Sequence, residues 1–257
     1  MAAEFRRDSV RPAALWDAQL SDVLRGVISA SVAETGRPVL DILDVGGGTG
    51  GLAVPLARLG HNVTVVDPSP DALAAAQRRA AEVSARLTAV QGEAASADAV
   101  AGIAAADLII CHNVLEYVDS PPDAMAAIAR VLRPSGTVSV LASNTVAAVL
   151  HRALAGRFAE ARRMLVDESG GPGGSGGPSD AGLPRRFTLP ELTALIEGAG
   201  LRTGEAHGLR VFGGLLPGAL VDGDPGAAAG LQALESAAAT YPPLRDIAAQ
   251  LHVLGHR

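Results

Sequence analysis

Apolar and polar positions along this chain change period in a regular alternation. Residues 13–29, "AALWDAQLSDVLRGVIS", place apolar side chains at helical spacing, so a helix is expected ahead of the first strand. "VLDILDV" (39–45) then reads as a buried strand, "GLAVPLARLG" (51–60) as a helix closed by glycine, and "NVTVVD" (62–67) as a second strand. A helix follows in "SPDALAAAQRRAAEV", with Ser69 as its cap. "RLTAVQG" and "DLIICHN" are the third and fourth strands. "PPDAMAAIARVLRP" is a helix stopped by Pro134, and "GTVSVLAS" is a fifth strand. Continuous apolar strands alternating with helices predict an α/β fold, with a mostly parallel sheet covered on both faces.

The rhythm breaks at about 169–183, "SGGPGGSGGPSDAGL", where Gly, Pro and Ser predict a flexible insertion. Beyond it, "TLPELTALIEGAG" is a helix capped by Thr188, and "LRTGEAHGLRVF" contains a strand. "LQALESAAATY" is helical and "QLHVLGHR" a last strand. The expectation is one domain over residues 1–257, capped by an N-terminal helix over 13–34 and by the 143–187 segment.

Candidate chemistry gathers where the first strand meets "GGGTGG". Gly46, Gly48 and Gly51 satisfy G-x-G-x-x-G, with a strand before, a helix after and Asp67 ending the second strand. A dinucleotide site and a nucleoside-sulfonium site both use such glycines, and both use the acid to hold ribose hydroxyls. They part at Asp44. A carboxylate at the strand end repels a pyrophosphate, whereas S-adenosylmethionine brings an ammonium and a sulfonium. Asp44 therefore favours the methyl donor.

Composition narrows the setting. The 257 residues are 48% hydrophobic but only 3% aromatic, so the core must be built from Ala, Val and Leu. Net charge is −6 and all 21 basic residues are arginine, so no whole-molecule basic field draws the chain to nucleic acid. Cys111, the single cysteine, excludes an internal disulfide and a multi-cysteine zinc site, and it reads as a core residue. With no secretory signal, no membrane-length apolar run and no carboxylate cluster for a metal, a soluble cytoplasmic protein without a metal is expected.

"LDVGGGTG", "VTVVDPSPDAL", "DLIICHNVLEYVDSP" and "LRPSGTVSV" resemble the successive motifs of class I S-adenosylmethionine-dependent methyltransferases, over about residues 40–142. A longer resemblance, carried by "RPAALW", "CHNVLEYV", "SNTVAAVLHRALAGRF", "GLRVF" and the terminal "HV", is to the bacterial tRNA 5-carboxymethoxyuridine methyltransferase family. It implies a Rossmann-like, seven-stranded, mostly parallel sheet whose last strand is antiparallel. It also implies methylation of a wobble-uridine carboxylate in tRNA. A small-molecule O- or N-methyltransferase and a non-catalytic donor-binding module are the alternatives.

By the same resemblance, Arg11 reaches the methionine carboxylate of the donor, Gly46 and Gly47 line it alongside Gly48 and Asp44, and Asp67 holds its ribose. Ala94 and Ala95 frame the adenine, a role that Glu93 or Asp98 also fits. His112 contacts the donor, with Asn113 and Tyr117 in the same loop. Asn144 and Arg210 stand near the acceptor, and Arg210 with the Arg185–Arg186 pair is expected to receive an anionic acceptor. A carboxylate acceptor needs no general base; for a hydroxyl acceptor His112 is the first candidate.

Overall fold

The computed structural model describes residues 12–97, 105–166, 184–216 and 225–257. Arg11, Asp98 and the glycine-rich 169–183 segment lie outside the described residues. The elements are α1 (Pro12–Thr35), β1 (Asp41–Val45), α2 (Ala53–Arg58), β2 (Asn62–Asp67), α3 (Pro70–Glu82) and β3 (Leu87–Gln91). A short 3-10 turn (Ala94–Ser96) leads to β4 (Ala106–His112), α4 (Pro121–Val131), β5 (Leu132–Ser143), α5 (Thr145–Leu154) and α6 (Phe158–Val166). Then come α7 (Leu189–Gly198), β6 (Arg202–Leu209), α8 (Pro225–Ala238), α9 (Pro242–Arg245) and β7 (Gln250–His256).

The sheet runs β3-β2-β1-β4-β5-β7-β6, and β7 is antiparallel to both neighbours. The order reverses between β1 and β4. Ligands of open α/β sheets collect at such a switch point, outside the carboxyl ends of the strands. Helix starts follow local capping chemistry. Ser69 and Ser120 accept N–H bonds from Ala72 and Asp123, each with proline at the next position. Thr188 and Glu191 form a reciprocal capping box at α7.

Strand alternation sorts the core into two layers. Leu43, Val45, Ile109, Cys111, Val138 and Val140 face one side, where Met125 and Ile128 of α4 and Leu192 and Ile196 of α7 cover them. Ile42, Val63, Val65, Leu108 and Ile110 face the other, against Leu20, Leu24 and Ile28 of α1, Leu56 of α2 and Leu73 of α3. By the same alternation Asp44, His112, Ser139, His252 and His207 belong to the α1 side. Two departures from the expected elements stand out. Helix α4 stops at Val131, and β5 begins at Leu132, so Pro134 lies inside the strand.

The amino ends of the strands are tied by charge. Arg37 Nη1 and Arg133 Nη1 both reach the buried Asp107 at 2.7 Å, while their Nη2 atoms reach Asp41 at 2.9 and 2.7 Å. Asn62 Nδ2 donates to Asp41 at 2.8 Å. Partial burial raises the Asp41 pKa, but hydrogen bonds from Asn62, Arg133 and Arg37 outweigh it and lower the carboxyl from 3.8 to about 2. Its stabilising contribution is therefore complete above 3.8 and is lost as pH falls through about 2. Replacing Asp41 with Asn should flatten that acid limb, and denaturant midpoints measured across that window check it.

Candidate functional site

At the opposite, carboxyl edge, β1 runs directly into the glycine turn. Gly46 adopts φ +68 and its N–H donates to Val66 O at 2.7 Å. A Cβ there would drive into the side chain of Val114, from the loop after β4. A Cβ on Gly47 would sit 2.5 Å from Asp44 Oδ2 and 3.0 Å from Val65 Cγ1. These two positions are bare because the protein itself packs against them. Gly48 differs. It has φ +53, and a Cβ there would meet nothing within 4 Å, so this side of the turn is open.

Two buried carboxylates border this turn. Asp67 accepts from Gly48 N–H through Oδ2 and from Ser69 N–H through Oδ1, both at 2.9 Å, which couples the turn to the start of α3. Each oxygen keeps a further lone pair, so a ribose hydroxyl can still be held. Asp44 is 3% exposed. Burial, and then the charge of Asp67, raise its carboxyl from 3.8 to about 7. A cation arriving beside Asp44 restores the ionised form and removes the penalty of burying it.

The other expected residues separate into groups. Ala94 is buried in the core and opens the 3-10 turn, whereas Ala95 is exposed beside it, with Glu93 at the preceding cap position. His112 closes β4, its Nε2 2.7 Å from Ser139 Oγ, and its buried Nδ1 has no hydrogen-bond partner among the described residues. Burial lowers its pKa from 6.5 to about 3, so the ring is neutral. Asn113 adopts φ +55 and accepts from Gln250 Nε2 at 2.7 Å, while Tyr117 projects outward. Cys111 is fully buried, and burial pushes its thiol pKa upward.

Asn144 is engaged by backbone on every side. Its Oδ1 caps α5 through Val146 N–H at 2.9 Å, and Nδ2 donates to Asp246 O and Ala248 O at 2.9 and 2.7 Å. At 1% exposure it positions the β5–α5 corner. Arg210 follows β6 on the carboxyl edge with φ +62, and β7 separates its strand from β5. It is therefore on the right edge but laterally removed from the glycine turn.

The Arg185–Arg186 pair divides its work. Arg185 Nη1 donates to Val118 O at 3.0 Å and to Leu115 O at 3.4 Å, clamping the loop after β4. Arg186 is partly buried. Burial and then the neighbouring charge of Arg152 lower its pKa, against the opposing influence of Glu116 and Tyr117. Glu116, which the sequence reading passed over, is 3% exposed and accepts Ser143 N–H at 2.8 Å through Oε1. Its Oε2 is buried without a hydrogen-bond partner among the described residues.

The chain matches the family model described as a methyltransferase domain over residues 43–140. It is 34% identical over 154 residues to the tRNA 5-carboxymethoxyuridine methyltransferase of Escherichia coli K12, covering 59% of this chain and 55% of that one. It is 32% identical over 119 residues to the mitochondrial ubiquinone biosynthesis O-methyltransferase of Schizosaccharomyces pombe, covering 44% of this chain and 42% of that one. These matches span about half the length of those relatives. The magnesium protoporphyrin IX methyltransferase of Synechocystis PCC 6803, solved with bound SAH, superposes with TM-score 0.58 at 14% identity, over 95% of this chain and 85% of that one. The fold is shared with that enzyme, whose bound SAH is the demethylated form of the methyl donor S-adenosylmethionine.

The residues present fit such a donor. An open Gly48, a buried carboxylate suited to a cation and a second carboxylate with lone pairs to spare stand around one turn. Among the described residues no group of three or more His, Cys, Asp or Glu is placed to hold a metal ion, and no helix is long and apolar enough to cross a membrane.

Asp44 gives a signed prediction. Its folded pKa lies above its ordinary value, so the wild-type protein loses stability as pH rises from 3.8 to about 7. Asp44→Asn should therefore unfold at higher denaturant than wild type at about pH 8, and the difference should shrink on acidification. The same variant should bind S-adenosylmethionine more weakly by about 1.5–3 kcal/mol, the scale of a charged hydrogen bond. Denaturation and calorimetry on one preparation check both signs.

Proposed function

We propose that this protein transfers a methyl group from S-adenosylmethionine to the carboxylate of 5-carboxymethoxyuridine at the wobble position of tRNA. The observation that carries the acceptor reading is the partly buried Arg186, with Arg152, Glu116 and Tyr117 as its ionisable neighbours, adjoining Arg185 that clamps the loop packed on Gly46. Burying the Arg186 guanidinium is costly, and an anion placed beside it lowers that cost; Arg152 already lies 3.6 Å from Glu160. Similarity to the Escherichia coli tRNA enzyme supports a nucleic-acid carboxylate as that anion. A tRNA acceptor also implies a cytoplasmic protein.

The donor supplies a methyl carbon already activated by its sulfonium. What the chain contributes is placement. Asp44 and Asp67 anchor the cationic and ribose portions, the glycine turn sets the depth, and Arg186 with Arg152 aligns an acceptor oxygen in line. A carboxylate is ionised at neutral pH, so no proton has to be removed. Arg11 completes the donor site in this proposal, with Ala94 and Ala95 framing the adenine and Arg210 contacting the acceptor beyond its reacting group.

A second reading, methylation of a hydroxyl on a small molecule, is favoured by one observation. His112 is neutral and keeps one ring nitrogen buried without a hydrogen-bond partner among the described residues. A neutral ring nitrogen can accept a hydrogen bond from a hydroxyl, while its lowered pKa makes it a weak base. The similarity to a ubiquinone biosynthesis O-methyltransferase points the same way.

Methyl-labelled donor offered with undermodified bulk tRNA, and separately with a small-molecule extract, distinguishes the readings. The carboxylate reading predicts label on tRNA that mild alkali releases, because esters saponify and ethers do not. Alkali-stable label in the extract supports the hydroxyl reading. Donor binding with no label in either sample leaves a non-catalytic donor-binding module. Arg186→Ala should weaken tRNA binding about tenfold and reduce its salt slope by about one charge.

A further inference from the structure

On the α1 side of the sheet, a continuous polar ladder crosses four strands of the hydrophobic core. It begins at His112 at the end of β4, whose Nε2 is 2.7 Å from Ser139 Oγ on β5. Ser139 Oγ is also 2.7 Å from His252 Nε2 on β7. His252 Nδ1 lies 3.4 Å from His207 Nδ1 on β6. His207 Nε2 ends the ladder 3.8 Å from Glu205 Oε2, whose side chain is 79% exposed. Ser139 and His252 are fully buried and His207 is 8% exposed. Polar groups so deep are costly unless each donor meets an acceptor.

That requirement restricts the protons. Glu205 Oε2, at 3.8 Å, is beyond hydrogen-bond distance, but its negative charge favours a proton on His207 Nε2, which leaves His207 Nδ1 bare. His252 must then donate from Nδ1 and keep Nε2 bare, so the Ser139 hydroxyl donates to His252. Ser139 Oγ in turn accepts from His112 Nε2–H. The last consequence falls on His112 Nδ1, which is left without a proton. We propose that Ser139, His252, His207 and Glu205 are positioning residues that hold His112 in the Nε2–H form, presenting Nδ1 as a hydrogen-bond acceptor to an N–H or O–H group of the bound ligand.

Burial agrees with this picture, because it lowers the pKa of all three histidines and keeps the ladder neutral. Around His207, Glu205 raises and Arg245 lowers the pKa, with burial the larger influence. The opposite set of protons would reverse every bond and place a proton on His112 Nδ1. Only the Glu205 end distinguishes the two sets, so an exposed carboxylate four strands away from Asp44 selects the form of the ring beside the donor turn. The ligand's identity rests on the methyl-donor reading above; the tautomer is a property of the unliganded chain.

The test uses the full chain labelled with 15N-histidine and long-range proton–nitrogen correlation spectra of the imidazoles. Unliganded wild type should show His112 with a protonated Nε2 and a bare Nδ1. Glu205→Gln, at an exposed position that does not threaten folding, should convert His112 into a mixture of the two tautomers. Ser139→Ala should do the same while leaving His252 and His207 paired. Both variants should bind S-adenosylmethionine about fivefold more weakly, the effect of one misdirected neutral hydrogen bond. A proton on His112 Nδ1 in wild type, or an unchanged His112 tautomer in both variants, overturns the proposal. Wild-type protein that shows the expected tautomer but binds no donor overturns the methyl-donor reading and upholds the ladder.

Discussion

Two carboxylates buried around one glycine turn set the terms for the rest of this molecule. Asp44 and Asp67 raise each other's energy, and Asp44 responds by holding its proton up to about pH 7. Gly47 has no room for a side chain because Asp44 fills the space beneath it, and Gly48 reaches back to Asp67 with its N–H. The turn therefore cannot move without disturbing both acids. Its other wall is Val114, from the loop that follows His112, so the turn and that loop are packed as one unit.

The sheet assigns opposite tasks to its two ends. At the amino ends, Asp41 and Asp107 are matched by Arg37 and Arg133, and the charges are closed against one another. At the carboxyl ends two acids share one turn without a basic partner among the described contacts, while Arg186 is partly buried near Glu116 and Arg152 lies 3.6 Å from Glu160. Paired charges hold strands in register; unbalanced ones are receptive to a ligand of opposite sign. This contrast between the two ends follows from the positions of a few residues on a common scaffold.

Much of this was legible in the sequence. Continuous apolar strands separated by helical periods led to a mostly parallel α/β sheet, the motif resemblance supplied its class I form, and Asp44 and Asp67 were recognisable because each stands at a strand end beside a turn. Asn144 and Arg185 were legible only as positions. Nothing in their identity says that an asparagine spends its amide on a helix cap and two carbonyls, or that an arginine turns back onto the loop after β4. Pro134 was read as a stop, yet the chain had already entered β5. The histidine ladder was hidden for a different reason. Its members lie on four strands far apart in sequence, and they meet only because β7 inserts antiparallel between β5 and β6. Alternation within "TVSV" and "LHVL" places Ser139 and His252 on one face, but their pairing requires the strand order.

The central claim is that the turn is built for a nucleoside cation and not for a dinucleotide. Calorimetric titration of the unliganded protein with S-adenosylmethionine and, separately, with a nicotinamide dinucleotide tests it most directly. The account predicts saturable binding of S-adenosylmethionine that strengthens as pH rises through about 7, where Asp44 ionises, and no comparable binding of the dinucleotide. Tight dinucleotide binding with no binding of S-adenosylmethionine would contradict it.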